Sequence, residues 1–167
     1  RNMLMDSQNR IQSMALIHQT LYQSNNFARV DFADFLEALI PTLVNSYSVS
    51  GKNITLAVNV DEVYLPINSA IPCGLLINEL ITNALKHAFT ERNEGKISVS
   101  LSANENKEIQ LRISDDGNGI PEHLNLDEVE TLGLRLVNLL SQQLNGVLRL
   151  QRQQPTEFVL SFPLTEH

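Results

Sequence analysis

Hydrophobic positions recur at helical spacing in some parts of the chain and alternate with polar ones in others. In "NRIQSMALIHQTLYQS" there is no Gly or Pro, Leu4, Ile11 and His18 are seven apart, and Ser7, Met14 and Leu21 repeat that interval with an offset of three. This is an a/d seam, and it predicts a long helical arm that lies against partner helices. The break is "NNFARVD", and a second helix follows from about Phe32 to Tyr47, capped by Asp31. "SVSGKN" reads as a turn and "ITLAVNV" as a strand. After "LPINSAIP" a further helix begins, with Pro72 near its first turn. "KISVSLSA" and "EIQLRIS", separated by "NENK", alternate as a hairpin. "DDGNGIP" is a sharp glycine turn, and "LGLRLVNLLSQQL" is an amphipathic helix ended by Asn145–Gly146. "GVLRLQRQ" and "EFVLSFPL" close the chain as a second hairpin. Helices gathered on one face of a mostly antiparallel sheet make an α+β sandwich.

One helix carries more polarity than packing requires. In "NELITNALKHAF" the apolar residues keep helical spacing, yet Asn78 and Asn83 sit among them. Asparagine is a poor interior helix former, because its amide competes for backbone groups. Glu79, Asn83, Lys86 and His87 fall on one face, which therefore offers a carboxylate, an amide, an amine and an imidazole together.

Composition narrows what that face can meet. The chain has 167 residues, of which 43% are hydrophobic and 19% charged, enough to bury a core. Its net charge of −7 argues against nucleic acid, and an anionic ligand would need a metal ion to offset repulsion. Cys73, the only cysteine, lies in the apolar run "IPCGLLI" and reads as a small core residue in a reducing compartment. No apolar run approaches the ~20 residues that span a bilayer, so no membrane contact is expected of this segment. Arg1 begins in mid-pattern, which reads as a piece of something longer.

The glycine turn follows a strand that ends in a carboxylate. Gly117 and Gly119 allow positive φ and let a flat ligand approach, while the carboxylate can accept from an exocyclic amine. The same loop would also serve as a plain tight connection. A dinucleotide fingerprint is excluded because Glu122 occupies the third glycine position, and a calcium loop because the ligand alternation fails.

Together these motifs resemble the ATP-binding domain of the superfamily that contains histidine kinases, gyrase B and MutL. "NELITNALKHAF" looks like its N box, Asp115-Asp116-Gly117-Asn118-Gly119 like its first glycine box, and Gly133 with Leu134 like a reduced second one. Thr156 stands where that superfamily keeps a threonine near the adenine-binding aspartate. The arm resembles the second dimerisation helix and linker of HisKA_2-type sensor kinases; the related HWE type needs a tryptophan, and there is none. The resemblance implies a Bergerat-type two-layer sandwich over residues 29–167, preceded by the partial dimerisation region and linker at 1–28.

It also implies ATP and Mg²⁺ as cofactors, with roles for particular residues. Asn83 would hold Mg²⁺, with Asn78 and Glu79 supporting it; Glu79 would hold a metal-bound water or act as base toward the nucleophile. Lys86 and His87 would reach the phosphates, Asp115 the adenine amine, and Gly117, Gly119, Ile120, Gly133, Leu134 and Thr156 would line the nucleotide. Arg135 reads equally as a phosphate contact or a surface residue. The expected partners are ATP or ADP, a response-regulator receiver domain and a second copy joined through the arm, in the cytoplasm. The family's phosphoacceptor helix would precede Arg1, so these residues alone are expected to be nearly inert in self-phosphorylation. His18 reads as a packing or hydrogen-bonding residue of the seam, and His123 and His167 as solvated. The alternative is an ATP-driven conformational switch or a serine kinase of the anti-sigma kind.

Overall fold

The computed structural model describes residues 8, 11–12, 14–19, 29–47, 52–120, 132–152 and 155–164. In chain order the elements after the arm are β1 (Val30–Asp31), α1 (Phe32–Tyr47), β2 (Asn53–Val60), β3 (Tyr64–Leu65) and α2 (Ile67–Asn83). There follow β4 (Glu94–Ala103), β5 (Glu108–Asp115), α3 (Leu132–Gln143), β6 (Val147–Gln151) and β7 (Thr156–Pro163). Five strands form one sheet in the order β2-β4-β5-β7-β6, and β1 pairs with β3 in a separate two-stranded ladder. The large sheet is mixed: β2 runs parallel to β4, and the other pairs are antiparallel.

Strand alternation explains why, among the described residues, the helices cover one face of the sheet. Ile97, Val99 and Leu101 of β4, Ile109, Leu111 and Ile113 of β5, and Leu160 and Phe162 of β7 are buried in one cluster with the helices. The intervening Ser98, Ser100, Ser102, Gln110 and Arg112 are more exposed, and Arg112 pairs with Glu157 across β5 and β7 at 3.0 Å. A period of two thus sorts apolar from polar side chains onto opposite faces.

The β4–β5 turn is fastened by one side chain. Asn104 Oδ1 accepts from the backbone N–H groups of Asn106 (2.9 Å) and Glu108 (3.0 Å), and Lys107 takes a positive φ of 60°. These bonds fix the register that places Leu101 opposite Leu111 and Ile97 opposite Asp115.

Helix α1 begins as its cap predicts, with the Asp34 N–H donating to Asp31 Oδ1 at 3.3 Å. Helix α2 does not begin near Pro72. It starts at Ile67 after Pro66, and Pro72 lies inside it. Pro66 fixes the entry, and the Ser69 and Ala70 N–H groups both donate to its carbonyl. Beyond Asn83 the helix widens into a π turn over Ala84–Ala88.

The arm meets this core through residues outside the seam. Ile17 is buried in the core cluster with Leu16 packed against it, whereas Ile11, Met14 and His18 of the expected seam are exposed. The contact works because Gly74 of α2 has no side chain. A Cβ there would lie 2.9 Å from the Phe35 ring and 3.3 Å from Ile17 Cδ1. Among the described residues His18 is exposed. Leu4, Ser7, Leu21, His123 and His167 lie outside the described residues.

Candidate nucleotide site

The polar end of α2 and the glycine turn after β5 are brought into direct contact. Gly117 sits against the π turn so closely that a Cβ would fall 2.2 Å from the Ala88 carbonyl oxygen. The Asn118 N–H donates to that same oxygen at 2.7 Å, and the Asn118 amide donates to Thr90 Oγ1 at 2.8 Å. Helix-end carbonyls, orphaned by the end of the ladder, thus hold the loop in place. Gly119 has a φ of 82°, a backbone state that side chains with a Cβ adopt poorly.

Gly117→Ala is accordingly expected to push the loop off the helix, because the clash is with backbone rather than a movable side chain. The expected cost is about 1–3 kcal/mol, as for an overpacked core site. Denaturant unfolding checks it; a variant as stable as the parent would show that this contact does not hold the loop.

The two adjacent aspartates are treated differently. Asp116 is tied to β4: its Oδ1 accepts from the Lys96 N–H at 2.8 Å, its own N–H donates to the Lys96 carbonyl, and its carbonyl accepts from Arg92. Asp115 continues the inner row of Ile109, Leu111 and Ile113, so its carboxylate comes up on the helix-covered face. Burial pushes its carboxyl above the usual range; the Gly117 N–H, donating to Oδ1 at 3.0 Å, partly offsets this, and the charge of Asp116 adds to it. Directly across the ladder stands Thr156, only 5% exposed, whose hydroxyl donates to the Arg152 carbonyl at 2.9 Å. Ile120 is half-buried, and its N–H donates to the same Arg152 carbonyl.

On α2, Asn78 and Glu79 are 2% and 4% exposed, deep burial for an amide and a carboxylate. Asn83 is half-buried as the last residue before the π turn, Lys86 is half-buried inside that turn, and His87 is exposed. The π turn rotates Lys86 and His87 relative to the ideal helical wheel, a change that sequence periodicity does not reveal. Gly133 lies in the first turn of α3, Leu134 is half-buried and Arg135 is exposed. Thr82, 6% exposed within the same polar stretch, is not among the residues that the motifs point to; its place between Glu79 and Asn83 is the available signal. Among the described residues no three His, Cys, Asp or Glu side chains cluster to hold a metal on their own.

This combination of a one-sided mixed sheet and a polar helix end tied to an Asp-Asp-Gly-Asn-Gly loop has known counterparts. Residues 69–166 match the family described as histidine kinase-, DNA gyrase B- and HSP90-like ATPase, and the chain belongs to that family. Residues 1–47 match the HisKA_2 histidine kinase family, which marks the chain as being of the HisKA_2 histidine kinase kind.

The relatives bear this out in sequence and in shape. The chain is 30% identical over 145 residues to blue-light-activated histidine kinase 2 of Erythrobacter litoralis, covering 86% of this chain and 42% of that protein. It is 28% identical over 168 residues to the sensor histidine kinase PdtaS of Mycobacterium tuberculosis, covering 98% of this chain and 33% of that one. The chain therefore spans less than half the length of these curated relatives. The solved histidine kinase domain of the Erythrobacter litoralis EL346 blue-light-activated kinase superposes with a TM-score of 0.85 at 27% identity, covering 94% of this chain and 78% of that one. The α+β, Bergerat-type sandwich is thus the fold of a histidine kinase catalytic domain.

Proposed function

We propose that this chain binds Mg²⁺–ATP between the polar end of α2 and the 115–119 loop and passes the γ-phosphoryl group to a histidine, from which a response-regulator aspartate takes it. The observation that carries the reading is the contact of Gly117 and Asn118 with Ala88, which joins a carboxylate suited to adenine to a helix end suited to phosphates. In the nucleotide complex Asp115 accepts from the adenine amine, beside Thr156 and above Gly117 and Gly119. Ile120 and Leu134 flank the nucleotide, and Gly133 admits its phosphates.

The donor set fits magnesium. Asn78, Glu79 and Asn83 offer hard oxygen atoms, and the small number of carboxylates suits an ion that completes its shell with phosphate oxygens and water. When bound, the ion neutralises phosphate charge. Asn83 would hold it, with Asn78 and Glu79 in support, and Lys86 and His87 would reach the phosphates. As the histidine nitrogen bonds to the γ-phosphorus, the bond to the bridging oxygen breaks and its electron pair leaves with ADP. Glu79 would either take the proton that the ring gives up or hold a water of the metal's shell. Arg135 either reaches a phosphate or stays in solvent.

The match of residues 1–47 to a histidine kinase family favours a histidine acceptor over the serine acceptor of anti-sigma kinases. The exposed Ile11 and Met14 support pairing of the arm with that of a second copy. Among the described residues no helix is long and apolar enough to cross a membrane, and a lone buried thiol at Cys73, pushed up to about 12 by desolvation, suits a reducing cytoplasm. The test is to incubate these 167 residues and the full-length protein with Mg²⁺–ATP and map phosphate under conditions that preserve phosphohistidine. Nucleotide bound by both, with histidine labelled in the full-length protein and His18 bare, is expected. Absence of nucleotide binding, or label on serine, would overturn the reading.

A further inference from the structure

Thr82 breaks the habit of threonines inside helices. Such a hydroxyl ordinarily donates back to the carbonyl three or four residues earlier, which satisfies it at little cost. Thr42 of α1 does this, donating to the Ala38 carbonyl at 3.2 Å. Thr82 does not: its Oγ1 is buried and has no hydrogen-bond partner among the described residues. A buried hydroxyl left unpaired is a steady cost to the fold, and such groups call for an explanation.

Its position supplies one. Thr82 is four residues after Asn78 and three after Glu79, so these side chains rise from adjoining turns of one stripe of α2. It directly precedes Asn83 and the π turn, where functional sites often interrupt a helix. All three neighbours belong to the proposed phosphate end of the site.

We propose that Thr82 is a positioning residue for phosphoryl transfer: in the nucleotide complex its hydroxyl donates to the Glu79 carboxylate and holds it toward the incoming nucleophile. The inference rests on the kinase reading above and extends it to a residue outside that set. The hydroxyl's lack of a partner in the free chain is then the cost of keeping a donor available.

The experiment compares Thr82→Val and Thr82→Ser with the parent in the full-length protein. Valine keeps the shape and removes the hydroxyl. Because it also removes an unpaired buried group, Tm is expected to hold or to rise by about 2–4 °C. The rate of histidine labelling at saturating ATP is expected to fall about tenfold or more from the lost orientation, with KM for ATP within about twofold. Serine, which keeps the hydroxyl, is expected to restore the rate to within about threefold. In a Glu79→Gln background, Thr82→Val is expected to add almost nothing, because the two act as a unit.

A Thr82→Val protein that labels at the parental rate overturns the proposal, as does one whose lost rate comes with a lower Tm and is not restored by serine. A full penalty persisting in the Glu79→Gln background also overturns it. A parent that binds ATP but labels no histidine removes the kinase reading and this role with it, which distinguishes that failure from failure of the Thr82 assignment alone.

Discussion

Asn83→Ala is expected to leave a folded domain that binds nucleotide weakly and transfers phosphate at least about a hundredfold more slowly, the scale for loss of a group that stabilises transition-state charge. The fold should tolerate the change. Asn83 is half-buried at the end of α2, so truncation leaves no apolar cavity, and alanine is the better helix former. Phosphoryl transfer depends mainly on positioning and charge neutralisation, so the loss should appear in the chemistry. Circular dichroism and γ-labelled ATP, applied to the full-length protein, separate the two effects. A folded variant that labels at the normal rate would show that Asn83 does not serve the phosphate end.

Asp115→Asn is expected to weaken ADP by about tenfold to 150-fold, corresponding to one charge-assisted hydrogen bond of about 1.5–3 kcal/mol. Stability should hold or increase, because burial disfavours the carboxylate that the variant removes. The same burial gives a pH signature. The free Asp115 carboxyl titrates above the usual range, the adenine amine would bind the ionised form, and protonation therefore competes with nucleotide. ADP affinity of the parent should fall as pH drops through that raised pKa, from a higher pH than an ordinary carboxylate would give. In the Asp115→Asn variant the affinity should be flat over the same window. Calorimetry across pH tests both statements, and unchanged ADP affinity at neutral pH would sink the assignment.

The sequence is most informative where one local rule decides the outcome. The Asp31 cap and the pattern of "FADFLEALIPTLV" point to α1, and alternation around "NENK" points to the β4–β5 hairpin. It is silent where tertiary contacts decide. The parallel pairing of β2 with β4 leaves no trace in β2 itself, and the two-residue ladder of β1 with β3 is too short to show periodicity. Pro72 reads as a helix start because proline favours first turns, but Pro66 already holds that position and the packed helix tolerates the second proline. The heptad seam is legible, yet Ile17 finds its place through the bare backbone of Gly74, an opening no arm periodicity can show. In the site, the chemistry of each residue type can be read, but the π turn and the tying of Asp116 to β4 cannot.

The small turn between β4 and β5 determines which of two adjacent carboxylates faces the helices at the far end of the strand. Asp115 and Asp116 are chemically the same, and neither selects itself. Were β5 to slip by one residue against its neighbours, Gln110, Arg112, Ser114 and Asp116 would face the helices, and Asp115 would turn to solvent. The two hydrogen bonds accepted by Asn104 thus act as a ruler laid along the strand, measuring out the distance from its origin to Asp115, the proposed adenine acceptor. An added or deleted residue at 105–107, remote from any ligand, would be felt first as a loss of base recognition.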